Sequence, residues 1–491
     1  MFSAWSSRSG LEYAAIVLAN TNDNPMSRII GEAYSALRRK FRGDLLRPGN
    51  EEYDGARDIW NGMVARKPGL IARCADATDV QIAVRTASAA GVVTAIRCGG
   101  HSLAGLSTCD DGLVIDLSRM RAVNVDARTR CARFEGGCLL GNIDAATQKV
   151  GLAFPAGVVS HTGAAGLVLG GGTGWLNRLH GLSCDNVTGF TVVVSDGSVV
   201  RASAEENPDL FWALRGGGGN FGVVTDFEVN LHPVSSVLFG AGMCFGDDIP
   251  AIVQQWRDFM PQAPDNLRWG ISLTMAPHME NIPAHLRGHP AANQGLVWIG
   301  DPEKGRSIVD RVLSFCNPVA VTKSELSFLA LQTMADAEFP HGRRYYTKSG
   351  YFKVLDNQDI QRMVEALATI PSPVSQIELS YLGGAAARVP AGDTAFGDRS
   401  SPFIVNLLGN WADPGDDDAN IAWVRGLFAQ LRPSMTPGVY VNFMSGDEQD
   451  RVPEAYRERW DRLVEVKTHY DPDNFFRLNQ NVRPRKSSRS Q

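Results

Sequence analysis

The chain has 491 residues, enough for two or more domains with sizeable cores. Its 44% hydrophobic and 21% charged content is that of a soluble globular protein, and a net charge of -5 argues against a nucleic-acid or membrane partner. No apolar run approaches the ~18–20 residues needed to span a bilayer.

In chain order, residues 1–25 lack a charged stretch followed by a clean apolar one, so no secretion signal is evident and a cytoplasmic location is expected. Residues 33–42 can form a surface-covering helix. Residues 77–91 read as an amphipathic helix. Thr78 and Gln81 fit a capping box, Val80, Ala83, Val84 and Ala87 line one face, and Gly91 is the stop. A buried strand at 92–97 runs into a glycine loop. Strands at 113–117, 122–126 and 132–135 follow, then a helix at 140–150. Residues 163–181 hold seven glycines, as expected of backbone that must approach something closely. Asp196-Gly197 predicts a hairpin between 187–196 and 198–202. A short helix from Leu210, the run Arg215-Gly216-Gly217-Gly218-Gly219-Asn220-Phe221-Gly222 and a strand at 223–231 come next.

Near residue 235 the glycine clusters cease. Strands at 267–275, 295–300, 376–381 and 403–411 alternate with helices at 250–260, 303–315, 358–369 and 420–431. This predicts an antiparallel sheet covered by helices on one face, α+β in class. From about 437 the chain is expected to return to its first domain, with a helix at 457–468. The expected units are 1–61, an N-terminal extension and helix; 62–235; 236–436; and 437–491, ending in a frayed basic tail from Arg483.

Two glycine-bearing frames stand out. Arg97-Cys98-Gly99-Gly100-His101-Ser102-Leu103-Ala104-Gly105 follows a strand, so its backbone N–H groups suit pyrophosphate oxygens. Taken alone, such a loop is as readily structural, and a lone histidine there is more often a hydrogen-bonded loop residue. It has neither GxGxxG nor P-loop spacing, which counts against a nicotinamide enzyme and a nucleotide hydrolase. His180-Gly181-Leu182-Ser183-Cys184-Asp185-Asn186-Val187 follows the glycine-rich stretch. The other seven of the eight cysteines read as buried thiols, with no CxxC pair. The nine histidines show no HExxH or paired spacing, so no metal site is expected. No Gly-x-Ser-x-Gly elbow marks a hydrolase.

In combination, the segments 97–105, 163–174, 181–187, 214–226 and 470–482 resemble the berberine-bridge-enzyme-like FAD-linked oxidases of the vanillyl-alcohol-oxidase superfamily. The resemblance implies FAD held in a two-subdomain FAD-binding domain of PCMH type at 62–235, a substrate domain at 236–436, and a C-terminal segment that closes the FAD domain. It implies that His101 carries the flavin through its 8α carbon and that Cys184 bonds to C6. Arg97, Cys98, Gly99, Gly100 and Ser102, with Gly163, Gly166, Gly170, Gly171, Gly172 and Gly174, would cradle the pyrophosphate. Asn186, Val187, Gly222 and Val224 would lie along the cofactor, and Asn479 and Asn481 would close over it. Val187, three residues after the cysteine, would leave dioxygen a path to the flavin, although it could equally pack at a strand start.

A flavin that takes hydride from carbon needs a base for the adjacent proton. Tyr440, in Val439-Tyr440-Val441-Asn442-Phe443, matches a family segment facing the flavin, with Asn442 beside it. Asn406 falls where relatives place a carboxylate or amide; it is not a base, so a glutamate mechanism is not expected, but it can orient a hydroxyl. Tyr381 is a weaker candidate, since only one of Glu378 and Tyr381 need face the site; Tyr346 and Lys348 are weaker still. The implied function is a bicovalent flavoprotein oxidase. It would oxidise a hydroxyl-bearing carbon of a sugar or natural-product alcohol by hydride transfer to flavin N5, with dioxygen reduced to hydrogen peroxide. The alternatives are oxidative cyclisation or desaturation of a secondary metabolite by the same flavin, and a non-catalytic flavin-binding protein. The expected partners are a small-molecule substrate and dioxygen; the sequence does not choose between monomer and homodimer.

Overall fold

Short, wholly apolar strands such as Leu70-Ile71-Ala72 and Leu113-Val114-Ile115 have no polar face to give to water, and the fold buries both their faces. They form the middle of a four-stranded sheet in the computed structural model, which describes residues 25–485. Its order is Asp44–Leu46, Leu70–Arg73, Leu113–Asp116, Thr94–Arg97. The last three strands are parallel and the first antiparallel. The stretch expected to be an N-terminal extension thus supplies an edge strand. Its helix runs over Pro25–Leu37, earlier than predicted, and buries Ile30, Ala33 and Leu37. The calls on residues 1–24 and 486–491 lie outside the described residues.

Helix Ala77–Ala90 connects two of the parallel strands and ends at Gly91, whose φ of 64° suits glycine. The cap is not the predicted Thr78–Gln81 box. Asp76 accepts from the N–H groups of Thr78 and Asp79, while Gln81 reaches across to the Gly197 carbonyl. A second, antiparallel sheet has the order Val123–Asp126, Cys131–Glu135, Val223–Asn230, Val187–Val193, Val199–Ser203. Its hairpin turns at Asp196-Gly197 as predicted, with Gly197 at φ 76° and the Asp196 carboxylate accepting from Ser198 N–H.

The third sheet has seven antiparallel strands in the order Val319–Ser327, Ser236–Phe245, Pro290–Ile299, Leu267–Met275, Gln376–Tyr381, Phe403–Trp411, Arg344–Phe352. Three of these were not predicted, each for a local reason. Ser236–Phe245 carries Gly240 and Gly242, Val319–Ser327 is a largely exposed edge strand, and Arg344–Phe352 is buried on both faces without alternation. Helices Asp248–Phe259, Pro302–Leu313, Asn357–Ala366 and Asp417–Leu431 cover one face. There Trp256, Val309, Ile360 and Val424 pack with Ile377, Leu379, Val405 and Leu407. The opposite face is turned to the glycine loops of the first two sheets.

The expectation of free thiols throughout is corrected. Cys244 and Cys316 form a disulfide, joining the strand Ser236–Phe245 to the end of the helix Pro302–Leu313. The pair is 72 residues apart in sequence, and only sheet and helix packing brings their Cα atoms within 6.3 Å. The other six cysteines are free. Among the described residues no helix is long and apolar enough to cross a membrane. The C-terminal helix Trp460–Tyr470 returns to the first unit, where fully buried Lys467 donates to the Asn220 and Phe476 carbonyls and to Asp471.

Candidate active site

A cleft of about 590 Å³ separates the glycine loops from the bare face of the seven-stranded sheet. One wall is backbone-rich: Cys98, Gly99, Gly100, His101, Ser102, Gly163, Gly166, Gly174, Gly219, Gly222 and Val224 line it, and Asn479 and Tyr440 close it. Gly99 and Gly163 pack so tightly that a Cβ on either would lie about 2.5 Å or less from the other's backbone nitrogen. By contrast, a Cβ on Gly166 or Gly219 would meet no atom within 4 Å and would project into the cleft. The Asn479 Oδ1 is buried without a partner. A cradle with room left by missing side chains and an unpaired acceptor at its edge fits a dinucleotide such as FAD.

His101 sits at the mouth of this wall. It stacks on Trp60 with ring centroids 4.8 Å apart, and its Nε2 lies 2.7 Å from His161 Nδ1. His341 packs edge-on at 5.5 Å. Burial, then the neighbouring His161 and His341, push the His101 pKa well down, so the imidazole is neutral. One proton is shared between His101 Nε2 and His161 Nδ1, which leaves the His101 Nδ1 lone pair available when Nε2 carries that proton. Sequence reading missed His161 and His341 because only the fold brings them to His101. The three rings offer nitrogens within 4.8 Å of one another, a donor set that could also hold a metal ion.

Several residues expected along the cofactor lie elsewhere. Arg97 is buried in an ion pair with Asp116 at 2.6 Å and donates to the Ala56 carbonyl. Gly170, Gly171 and Gly172 are crowded by protein, not open to the cleft: a Cβ on them would strike Asn442, Phe396 and Ser183. Asn442 itself lines the cleft and donates to the Leu167 carbonyl. Asn186 donates to the carbonyls of His180 and Leu182 and meets His232 at 2.7 Å. Val187 packs in the core of the second sheet, away from the cleft lining, which is the strand-start reading. Asn481 is outside the lining, although its Oδ1 is buried without a partner.

Cys184 is fully buried and is not part of the cleft lining either. Its side chain is enclosed by Leu182, Tyr351, Leu382, Ala386, Phe396 and Tyr440. Burial, reinforced by Asp185, raises its pKa strongly, which favours the protonated thiol. The motif around it has a structural account. Asp185 caps Leu182 N–H and takes two hydrogen bonds from buried Arg399, at 2.5 and 3.0 Å, which tie this loop to the segment before strand Phe403–Trp411. His101 lines the cleft, and Cys184 does not.

The opposite wall is the sheet, and its register lines up polar residues. Asn293 faces Ser272, Ser272 faces Glu378, Glu378 faces Asn406 and Asn406 faces Ser349, one from each of five adjacent strands. The sequence required only that one of Tyr381 and Glu378 face the site, and did not single out Glu378. Glu378 lines the cleft with Gln376 and Ser380, the alternate residues of its strand, and accepts from Asn406 Nδ2 at 2.7 Å and Gln376 Nε2 at 3.1 Å. Burial, only partly offset by the Asn406 hydrogen bond, raises its pKa above the ordinary glutamate value. Tyr381 also reaches the lining, but its ring packs edge-on against Phe403 at 5.3 Å and under the Arg178 guanidinium.

Tyr440 is a poorer base than expected. Its hydroxyl oxygen accepts from Gly172 N–H at 3.0 Å and Asn442 Nδ2 at 2.9 Å. Burial outweighs both and pushes the phenol up to about 12. Tyr346 and Lys348 are engaged with Asp447, at 2.7 and 2.8 Å. Burial would raise that carboxyl, yet these donors and Arg425 together hold it at about 2.

The glycine cradle, the histidine at its mouth and the facing polar sheet define an FAD-dependent oxidoreductase. Residues 68–203 match the model of the FAD binding domain, and residues 439–483 match that of the berberine and berberine-like family. An FAD-linked oxidoreductase of Dictyostelium discoideum is 32% identical over 90% of this chain and 95% of its own length. The (R)-6-hydroxynicotine oxidase of Paenarthrobacter nicotinovorans is 30% identical over 90% and 97%. The crystal structure of 6-hydroxy-D-nicotine oxidase from Arthrobacter nicotinovorans superposes with a TM-score of 0.78 at 28% identity, over 90% of this chain and 98% of that one. The chain belongs to the berberine-bridge-enzyme-like FAD-linked oxidoreductases, and its cofactor is FAD.

Proposed function

We propose that the protein is an oxidase of small molecules that carry a hydroxyl group on the carbon to be oxidised, with Glu378 as the base and dioxygen as the electron acceptor. The observation that carries this reading is the position of Glu378: a carboxylate in the floor of the cleft, across from the cradle, with raised basicity and two amide donors that fix its orientation. Bound FAD supplies the hydride acceptor. Glu378 takes the substrate hydroxyl proton on its carboxylate, while Asn406 and Gln376 keep that carboxylate aimed at the cleft. Ser272 and Asn293, next in the same row, are placed to hydrogen-bond a second substrate oxygen. The Tyr440 phenol stays protonated near neutral pH and holds Gly172 and Asn442 in place. Tyr381 shapes the end of the cleft.

The site residues support one tether. His101 Nδ1 lies on the cleft wall with its partner nitrogen held by His161, which suits attachment to the flavin. The second tether implied for Cys184 finds no support in a thiol sealed behind Tyr440. Intact mass under denaturing conditions decides: His101→Ala should lose the FAD mass increment and Cys184→Ala should keep it. The catalytic reading is tested by peroxide release across a panel of alcohols. Glu378→Gln is expected to retain FAD but to lose ~10²–10⁴-fold in turnover; undiminished turnover would remove Glu378 from the role.

A further inference from the structure

Arg268 stands apart from the other arginines around it. Arg178 donates to the carbonyls of Leu267 at 2.8 Å and Ala263 at 3.0 Å, although its Nη1 is buried without a partner. Arg388 is paired with Asp265 at 2.5 Å. Arg268 lines the cleft from strand Leu267–Met275, and among the described residues it makes no hydrogen bond and no ion pair. Its guanidinium lies over the ring of Trp175, 4.5 Å from the centroid. The Trp175 Nε1, also in the cleft lining, is buried without an acceptor. Two donor groups thus face the cleft side by side without a hydrogen-bond acceptor, and the charge that acts on Arg268 is that of Glu378, at a distance.

The floor beside Arg268 is bare. Gly270 and Gly295 face each other in register, and a Cβ on Gly295 would meet nothing within 4 Å. A Cβ on Gly270 would lie 3.3 Å from the Arg268 Nη1, so the guanidinium leans along its strand over Gly270, toward Ser272. Ser272 is paired with Glu378. Two residues of strand rise put the guanidinium about 7 Å from the polar row that holds the base.

We infer that Arg268 is the specificity-determining residue for a substrate carboxylate. The carboxylate would take the guanidinium in the bidentate geometry that arginine favours, with Trp175 Nε1 as a further donor. The body of the substrate, about one six-membered ring across, would lie on the Gly270–Gly295 floor with its oxidised carbon at the Glu378 row. The substrate class is a ring-bearing hydroxy acid. This rests on the oxidase reading only for the identity of the reacting carbon; the anion site stands on its own geometry.

The test has a binding arm and a turnover arm, both with the FAD-loaded enzyme. Benzoate and benzamide are titrated against the flavin absorption spectrum and by calorimetry. Benzoate should bind at least tenfold more tightly, and Arg268→Gln should abolish that preference while leaving benzamide binding unchanged. Arg268→Lys, which keeps the charge but not the fork, should retain part of it. Thermal melting checks that both variants are folded. For turnover, 4-(hydroxymethyl)benzoate is compared with its methyl ester, and the acid should be favoured in KM, not in kcat. Equal binding of acid and amide by the native protein, or a preference that survives in Arg268→Gln, overturns the inference. Acid-selective binding without oxidation of any alcohol would leave the anion site standing and remove the oxidase reading; oxidation of acid and ester alike would do the reverse.

Discussion

At the scale of single residues, the cleft assigns chemistry by environment. Glu378 and Tyr440 both line it, and burial raises both, but from different starting points. A glutamate raised above its ordinary value is, once ionised, a stronger base for it. A tyrosine at about 12 is a phenolate in only about one molecule in 10⁵ at pH 7. The pH dependence follows: kcat/KM should rise with pH as Glu378 deprotonates, along a limb centred above the usual glutamate pKa. That limb should vanish in Glu378→Gln and persist in Tyr440→Phe. Tyr440→Phe leaves the Gly172 N–H without its acceptor, so it should cost about 1–3 kcal/mol of stability in a denaturant titration. Sequence reading named Tyr440, Asn406 and His101, all on the cleft, because each lies in a frame that family members share. It weighed Glu378 only as the alternative to Tyr381, and passed over His161 and Arg268 because nothing adjacent to them in the chain marks them. Their significance lies in what faces them.

At the scale of elements, glycine positions divide into two kinds that look alike in a sequence. Those at 170–172 make room for neighbouring side chains, whereas Gly166 and Gly219 leave open space on the cleft wall. Gly166, inside the short helix Ala164–Leu169, therefore separates fold from function. Gly166→Ala should raise the melting temperature of the FAD-free protein, by about 0.5–1 kcal/mol of stability, because alanine is the better helix former. The same methyl group points into the cradle and should weaken FAD uptake, measured by reconstitution. The strands predicted from alternation were those with one clear apolar face, such as Gln376–Tyr381. Ser236–Phe245, Val319–Ser327 and Arg344–Phe352 left no such signature, whereas Phe403–Trp411 was legible from its long apolar run although it too is buried on both faces.

At the scale of the molecule, two contacts join parts far apart in sequence. Asp144, in the helix Leu140–Thr147, is fully buried where it accepts from Gln332 Nε2 at 2.9 Å, in the helix Phe328–Thr333 beyond the seven-stranded sheet. Burial, partly offset by that hydrogen bond, raises Asp144 to about 7. Its folded pKa lies above the unfolded value near 3.9. Its contribution is therefore fully present below about pH 4 and is lost as pH rises through about 7. Asp144→Asn should flatten the fall in melting temperature over that interval. The Cys244–Cys316 disulfide closes 72 residues. Replacing both cysteines by serine should cost up to about 4 kcal/mol, by the chain-entropy relation, and lower the melting temperature without loss of FAD.

The sequence by itself determined the class of the protein, its cofactor and the outline of its cradle. Those properties reside in short contiguous segments, strand then glycine loop, whose backbone geometry is local. Which side chains meet across the cleft was decided only by the tertiary structure. The polar row from Asn293 to Ser349 is a matter of register between five strands, and the absence of a hydrogen bond to Arg268 among the described residues is a matter of what the fold sets beside it. The cysteine of the Ser-Cys-Asp-Asn frame was read as a second tether, and the fold places it behind Tyr440. A motif specifies the path of the backbone, while burial and cross-strand neighbours decide what each side chain on that path can do.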